Sequence, residues 1–332
     1  MATDGHPTLR LAVRDPRIPA MPPQDNSIRL PSLTRRQSLL LLALVASGCS
    51  TVPTPKPAPP AQPIEPPAPP KPPPKPPRIG LALGGGAARG FAHIGVIQVL
   101  EESGIRPDLV IGTSAGSLVA ALYAAGMTGH ELAALAASMD ESALTDWSYP
   151  GRGLIRGEAL ARYVREKTGN LLIEQMHMPL GIVATDLASG EGIVFRSGDT
   201  GAAVRASSAV PAVFQPVKIG SREYVDGGLV APVPVRYARQ MGAELVLAVD
   251  ISSPPDAVVP QDAVHMLMQT FSIMGRSITQ LELRDADVVL RPKLIDVASS
   301  DFGARLRAIK AGREAAIAQL AAIRAAIAAK TR

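Results

Sequence analysis

A serine at the apex of a sharp strand-to-helix turn is a candidate nucleophile, and this chain has one in Gly112-Thr113-Ser114-Ala115-Gly116. The apolar run Leu109, Val110, Ile111 before it reads as a buried strand, and the Ala- and Leu-rich stretch from Leu118 to Ala125 after it reads as a helix. That context sets the Ser114 hydroxyl at the carboxyl edge of a sheet, over a helix N-terminus, between small residues that let other backbone approach. A turn of purely structural purpose has the same composition, so the chemistry depends on what else reaches the serine.

A serine hydroxyl needs a base, and the commonest is histidine. Five histidines are present, and none lies on a loop near the C-terminus where a Ser-Asp-His order requires it. His6 is in the N-terminal segment, His93 falls in the first helix, His130 and His177 sit near helix ends, and His265 belongs to a Met-rich helical stretch. Two other features are suited to the task. Gly84-Gly85-Gly86-Ala87-Ala88-Arg89-Gly90 follows an apolar strand and opens a helix, so its backbone N–H groups can face an anion. In an acyl hydrolase that anion is the oxygen of the tetrahedral intermediate. Tyr224-Val225-Asp226-Gly227-Gly228 ends a strand in an aspartate, followed by glycines that permit close approach.

The elements that must hold these groups alternate along the chain. Ile79–Leu83 reads as a buried strand, Phe91–Glu102 as an apolar-periodic helix, and 109–111 as the next strand, a unit expected to be a right-handed parallel crossover. Helices are predicted over 129–139, 158–167, 234–241, 261–284 and 304–329. Strands are predicted over 180–185, 192–196, 217–219, 223–225, 244–250 and 288–290. Alternation on this scale predicts one α/β domain from Ile79 onward. The last helix, with Leu306, Ile309, Ile317, Leu320, Ile323 and Ile327 at helical spacing, is expected to pack on the outside of the sheet.

The GGGAARG, GTSAG and DGG stretches, in that order, resemble the patatin-like phospholipase family. The likeness runs from Ile79 to Ile251 and takes in ATDLASGE (184–191) and ASSAVPAVFQPV (206–217). It implies a three-layer α/β sandwich with a mostly parallel central sheet and helices on both faces. It also implies a lipid acyl hydrolase working through a Ser–Asp dyad, with no catalytic histidine; no cofactor is expected. On that resemblance Ser114 attacks the ester carbonyl, and Asp226 takes its proton and later activates water. Gly85 and Gly86, with Ala87 or Ala115, would donate to the oxyanion, while Arg89 would organise the loop or hold a substrate phosphate. Ala87 stands where the family has the last of three loop glycines.

The N-terminal quarter carries different information. Thr34-Arg35-Arg36, a short apolar run (39–46) and Ser47-Gly48-Cys49 describe an export signal over residues 1–48. The run is about eight residues, far below the roughly 20 that span a bilayer. Arg35-Arg36 resembles a twin-arginine signal and Ala46-Ser47-Gly48-Cys49 a lipobox, with Cys49, the chain's one cysteine, as the lipidated residue. On that lipoprotein resemblance the expected location is the cell envelope, at the outer membrane or the periplasmic face, with Ser50 after the cysteine suggesting the outer membrane. Residues 53–77 are more than half proline and predict a polyproline II spacer of up to ~80 Å between anchor and domain, placing the linker at 49–78.

A single cysteine excludes an internal disulfide or a Cys-based zinc site, and the histidines and carboxylates show no metal-ligand spacing. The net charge of +5 owes +3 to six Arg and three Asp before Cys49, and no basic stripe interleaves with aromatics, so nucleic acid is not an expected partner. The expected partners are membrane phospholipid or lysophospholipid as substrate, and the membrane through Cys49. Trp147 and Tyr149 suit either an interfacial lip or a partly buried pair. Two competing readings stand: a nucleotide-binding α/β protein using the 84–90 loop, and a lipid-binding surface lipoprotein without catalysis. The first requires an acidic residue ending the second strand, where Gly112-Thr113 stands instead.

Overall fold

The computed structural model describes residues 74–140, 146, 152–252 and 262–332. Cys49, the export signal, most of the proline-rich linker, Trp147 and Tyr149 lie outside the described residues. The first strand, β1 (Ile79–Leu83), leads through a 3₁₀ turn (Ala87–Gly90) into α1 (Phe91–Glu102) and back to β2 (Leu109–Thr113). Next come α2 (Ala115–Ala124), α3 (Gly129–Ser138), β3 (Gly153–Ile155), α4 (Glu158–Lys167), β4 (Leu180–Asp186) and β5 (Gly192–Phe195). The chain continues through α5 (Thr200–Ser207), β6 (Ala212–Phe214) and the hairpin β7 (Val217–Ile219) and β8 (Arg222–Asp226). It closes with α6 (Val235–Gln240), β9 (Leu245–Val249), α7 (Ala263–Glu282), β10 (Val288–Leu290) and α8 (Arg305–Lys330).

The sheet is mostly parallel, running β10-β9-β1-β2-β4, with β5, β8 and β7 added antiparallel at one side. Every residue of β1, β2 and β9 is buried, as strands covered on both faces must be, which is why they read as unbroken apolar runs. Successive residues serve opposite layers. Leu81, Leu83, Val110, Ile182, Leu247 and Val249 join the core under α1, α2, α3 and α8. Ala82, Leu109, Ile111, Val183, Val246 and Ala248 join a second core with Val235, Tyr237 and Ala238 of α6. The result is a three-layer α/β sandwich.

One register detail positions the site. Along β4, Val183 pairs with Thr113 of β2 and with Val194 of β5, while Ala184 pairs with Ile193 of β5 and with Asp226 of β8. Since β5 occupies one edge of β4 throughout, β2 and β8 share the other edge end to end. The end of β2 and the end of β8 therefore meet at consecutive positions of one template strand.

Helix α8 docks differently from expectation. Leu306 and Ile317 are mostly exposed, and the buried face is Ala308, Ile309, Gly312, Ala316 and Ile323. Gly312 lies on α1 so closely that a Cβ there would overlap the Ala92 carbonyl oxygen, and Gly95 of α1 meets the Ile309 carbonyl in the same way. Small residues set this contact because they allow two helix backbones to touch. The sequence reading also passed over β3 and β6, a short parallel pair joining Gly153 to Ala212 and Ile155 to Phe214. The folded unit starts before Ile79: Lys75 exchanges two backbone hydrogen bonds with Arg332, at 2.7 and 3.1 Å.

Candidate active site

Ser114 stands between β2 and α2 with φ 52° and ψ −124°, a backbone conformation that a residue with a side chain occupies only when its surroundings impose it. Two glycines impose it here. A Cβ at Gly112 would overlap the Gly116 carbonyl, and one at Gly116 would overlap the Leu83 carbonyl of β1. The turn is locked from the other side by Ser207 of α5, which sequence reasoning missed. Its hydroxyl accepts the Ser114 N–H at 2.9 Å and donates to the Val183 carbonyl at 2.5 Å, tying the serine's own backbone to β4. Thr113 Oγ1 donates to the Ala231 carbonyl at 2.9 Å, fixing the last residue of β2 to the segment after Asp226.

Asp226 is buried at the end of β8. Its N–H donates to the Ala209 carbonyl at 2.9 Å and its own carbonyl accepts from Thr185 Oγ1 at 2.8 Å. Oδ1 accepts the Gly228 N–H at 2.6 Å, whereas Oδ2 is buried without a hydrogen-bond partner. Burial pushes the carboxyl from 3.8 up to about 6, and the Gly228 amide and neighbouring Ser114 hydroxyl pull it the other way. The hydroxyl is thus close enough to act on the carboxyl while closing no hydrogen bond with Oδ2. A dry carboxylate with one unsatisfied oxygen, beside a hydroxyl, is a proton acceptor held near neutrality.

The glycine loop corrects part of the expectation. The Gly85 N–H donates to the Pro232 carbonyl at 2.9 Å, so it does not face an oxyanion. Gly84 donates to Val249 at 3.1 Å and Ala88 to Ser299 at 3.0 Å, which takes two more amides of the loop. The amides of Gly86, Ala87 and Ala115 make no hydrogen bond to another described residue. Ala87 sits at φ 49°, the left-handed region that its methyl group disfavours, and lines the cleft beside Ser114 and Ala115. Arg89 folds back on the loop, its Nε reaching the Gly86 carbonyl at 3.4 Å.

Histidine is absent from these contacts among the described residues. His93 is fully buried under the loop, with Nε2 hydrogen-bonded to the Gly84 carbonyl at 2.8 Å, and burial lowers its pKa to about 4. It is a neutral brace there.

In front of Ser114 opens a cleft of about 560 Å³, walled by Phe91, Leu118, Leu160, Val213, Phe214 and Phe302 among others. It is overwhelmingly apolar, and Ser114 lies in its wall. A polar hollow of about 630 Å³ at the β4–β5 turn, bordered by Asp186, Lys218, Arg222 and Glu223, does not include Ser114. Arg222 and Asp186 neutralise each other there at 2.8 Å.

A family model described as Patatin-like phospholipase matches residues 81–239, the stretch that carries the elbow, the loop and Asp226. The chain belongs to the patatin-like phospholipase family. An NTE family protein of Mycobacterium bovis is 40% identical over 178 residues, covering 53% of this chain and 49% of that one. Another NTE family protein, of Mycobacterium tuberculosis, is 31% identical over 273 residues, covering 74% of this chain and 46% of that one. Patatin-like phospholipase domain-containing protein 6 of Mus musculus is 37% identical over 184 residues, covering 53% of this chain and 14% of that one. The chain spans about half the length of the first two. Among solved structures, VipD from Legionella pneumophila shares the fold, with TM-score 0.50 at 17% identity over 73% of this chain and 66% of that one.

Proposed function

We propose that the chain is a serine lipid acyl hydrolase of the phospholipase A or lysophospholipase kind, using Ser114 as nucleophile and Asp226 as its base. The observation that carries this reading is the meeting of β2 and β8 on one edge of β4, which brings the strained serine to a buried carboxylate with an unsatisfied Oδ2. Asp226 takes the hydroxyl proton as Oγ attacks the ester carbonyl. The oxyanion is held by the amides of Gly86, Ala87 and Ala115, the loop and turn groups not engaged elsewhere. The protonated Asp226 then gives its proton to the departing alcohol oxygen, leaving an acyl-serine. Water attacks that ester with Asp226 again as base, releasing fatty acid and restoring both groups. The apolar cleft fits the acyl chain better than a nucleotide's charged phosphates and polar base. With Gly84, Gly85 and Ala88 amides already engaged, the loop is also poorly furnished for a pyrophosphate.

The test is hydrolysis of a short-chain nitrophenyl ester and of phospholipid by the purified protein. Ser114→Ala and Asp226→Asn should each abolish turnover, and activity surviving Ser114→Ala would sink the mechanism. Saturable nucleotide binding without ester hydrolysis would favour the competing reading. The proposal includes an envelope location with Cys49 lipidated. Fatty-acid labelling and membrane fractionation of Cys49→Ala decide that, since retention of both removes the anchor from that residue.

A further inference from the structure

Helix α7 is long and barely covered: of its 20 residues only Thr279 and Glu282 are buried. Met266, Ile273, Met274 and Leu281 each leave more than half of their surface exposed. At about 100° per residue these side chains belong to a single arc. It begins at Met268, which lines the cleft in front of Ser114, and passes through Phe271, Ile278 and Leu267 to Met274 and Leu281. It ends at Met266 and Ile273, about 200–220° round the helix from Met268 in that same sense, with Thr270 and Ser277 the polar side chains inside it. The opposite side carries His265, Gln269, Ser272, Arg276 and Gln280. From Ala263 to Leu281 the helix has no carboxylate, and its one formal charge is the cation of Arg276.

We propose that this face of α7 is the surface by which the domain docks on a lipid bilayer, an inference that rests on reading the cleft as an acyl site. Three features favour a lipid surface as the occupant. The apolar arc is continuous with the cleft through Met268, so a docked helix leads the acyl chain toward Ser114 without crossing water. From Ala263 to Leu281 the helix has no carboxylate to repel anionic headgroups, and its one cation, Arg276, stands on the flanking polar side. No described helix is long and apolar enough to cross a membrane, so α7, with one apolar and one polar side, has the make-up of a helix lying in the interface plane.

The test uses the full chain carrying Cys49→Ala, so that no acyl group at that cysteine contributes. Flotation with vesicles of phosphatidylcholine and phosphatidylglycerol is compared with the Ile273→Gln/Met274→Gln variant. Leu306→Gln/Ile317→Gln on α8, equally exposed, serves as the control. The α7 variant should lose at least about ten-fold in vesicle binding and in vesicle hydrolysis, while short-chain ester hydrolysis and thermal unfolding stay put. The control should float like the parent. A parent that does not float, or an α7 variant that floats equally well, overturns the proposal. So does a parent dimer that the α7 substitutions dissolve without changing flotation, because a second copy then covers the face. Absence of ester hydrolysis in the parent would overturn the hydrolase reading instead, with flotation still deciding the surface.

Discussion

Thr113 and Asp226 occupy adjacent positions on one edge of β4, opposite Val183 and Ala184. They are far apart in sequence and belong to strands of opposite direction, yet one template strand sets their spacing. Ser114, the next residue after Thr113, is thereby delivered beside the carboxylate by strand register, with the Ser207 hydroxyl holding its backbone in place. In the proposed mechanism the two side chains act as a unit whose geometry is set before any substrate arrives.

A unit of this kind is lost as a whole when either member goes. Ser114→Ala and Asp226→Asn should each lower kcat by at least about 10³-fold, and the double variant should be no worse than the weaker single one. A double-mutant cycle on a nitrophenyl ester measures this; additive losses would separate the two residues.

The raised pKa of Asp226 sets a pH dependence of activity. In the proposed mechanism its carboxylate form is the base, so kcat/KM for a neutral ester should rise as pH passes about 6 and level off above it. A profile flat from pH 5 to 8 would assign the base elsewhere.

The same carboxyl should weaken the fold where it is charged. Its folded pKa, about 6, lies above the ordinary 3.8, so the folded state binds the proton more readily. The sign follows: the native state loses stability as pH rises from about 4 through 6, by up to roughly 3 kcal/mol at neutral pH. Asp226→Asn should therefore raise Tm at pH 8 and do much less at pH 4, which calorimetry at the two values checks.

Ser207 joins Ser114 N–H to the Val183 carbonyl, so Ser207→Ala removes the hydroxyl that serves both backbone groups. The expected cost is about 1–3 kcal/mol of stability, with kcat falling more than KM changes because the elbow loses its tether. Chemical denaturation and steady-state kinetics on the same variant give both quantities.

Ala87 and Gly312 make opposite cases for glycine. At Ala87 the left-handed φ of 49° strains a methyl group, and Ala87→Gly should gain about 0.5–1 kcal/mol with activity retained. At Gly312 an added methyl group would strike the Ala92 carbonyl, and Gly312→Ala should cost about 3 kcal/mol, outweighing the helix propensity gained. Thermal shifts of opposite sign are the expected outcome.

Much of this was readable from the chain itself. The elbow, the glycine loop, Asp226 closing a strand, and the alternation of strands with helices are local patterns, because a buried parallel strand needs an apolar run and a tight turn needs small residues. The docking of α8 was not readable, since Leu306 and Ile317 match the helical period as well as the buried positions do. Which helix face is inside depends on where two backbones can touch, and Gly95 and Gly312 decide that only once brought together.

The sequence by itself determined the chemical groups: a serine at a strained turn, an aspartate before glycines, a loop rich in amides, and no histidine in place to serve them. Only the tertiary structure decided which of these groups are free to act. The Gly85 amide is taken by Pro232, the Ser114 amide by Ser207, and Asp226 is left with one oxygen unsatisfied beside the serine. Hydrogen-bond partners are assigned by strand register and packing between segments remote in the chain. No local pattern carries that information, because each such group has one partner and the whole fold chooses it.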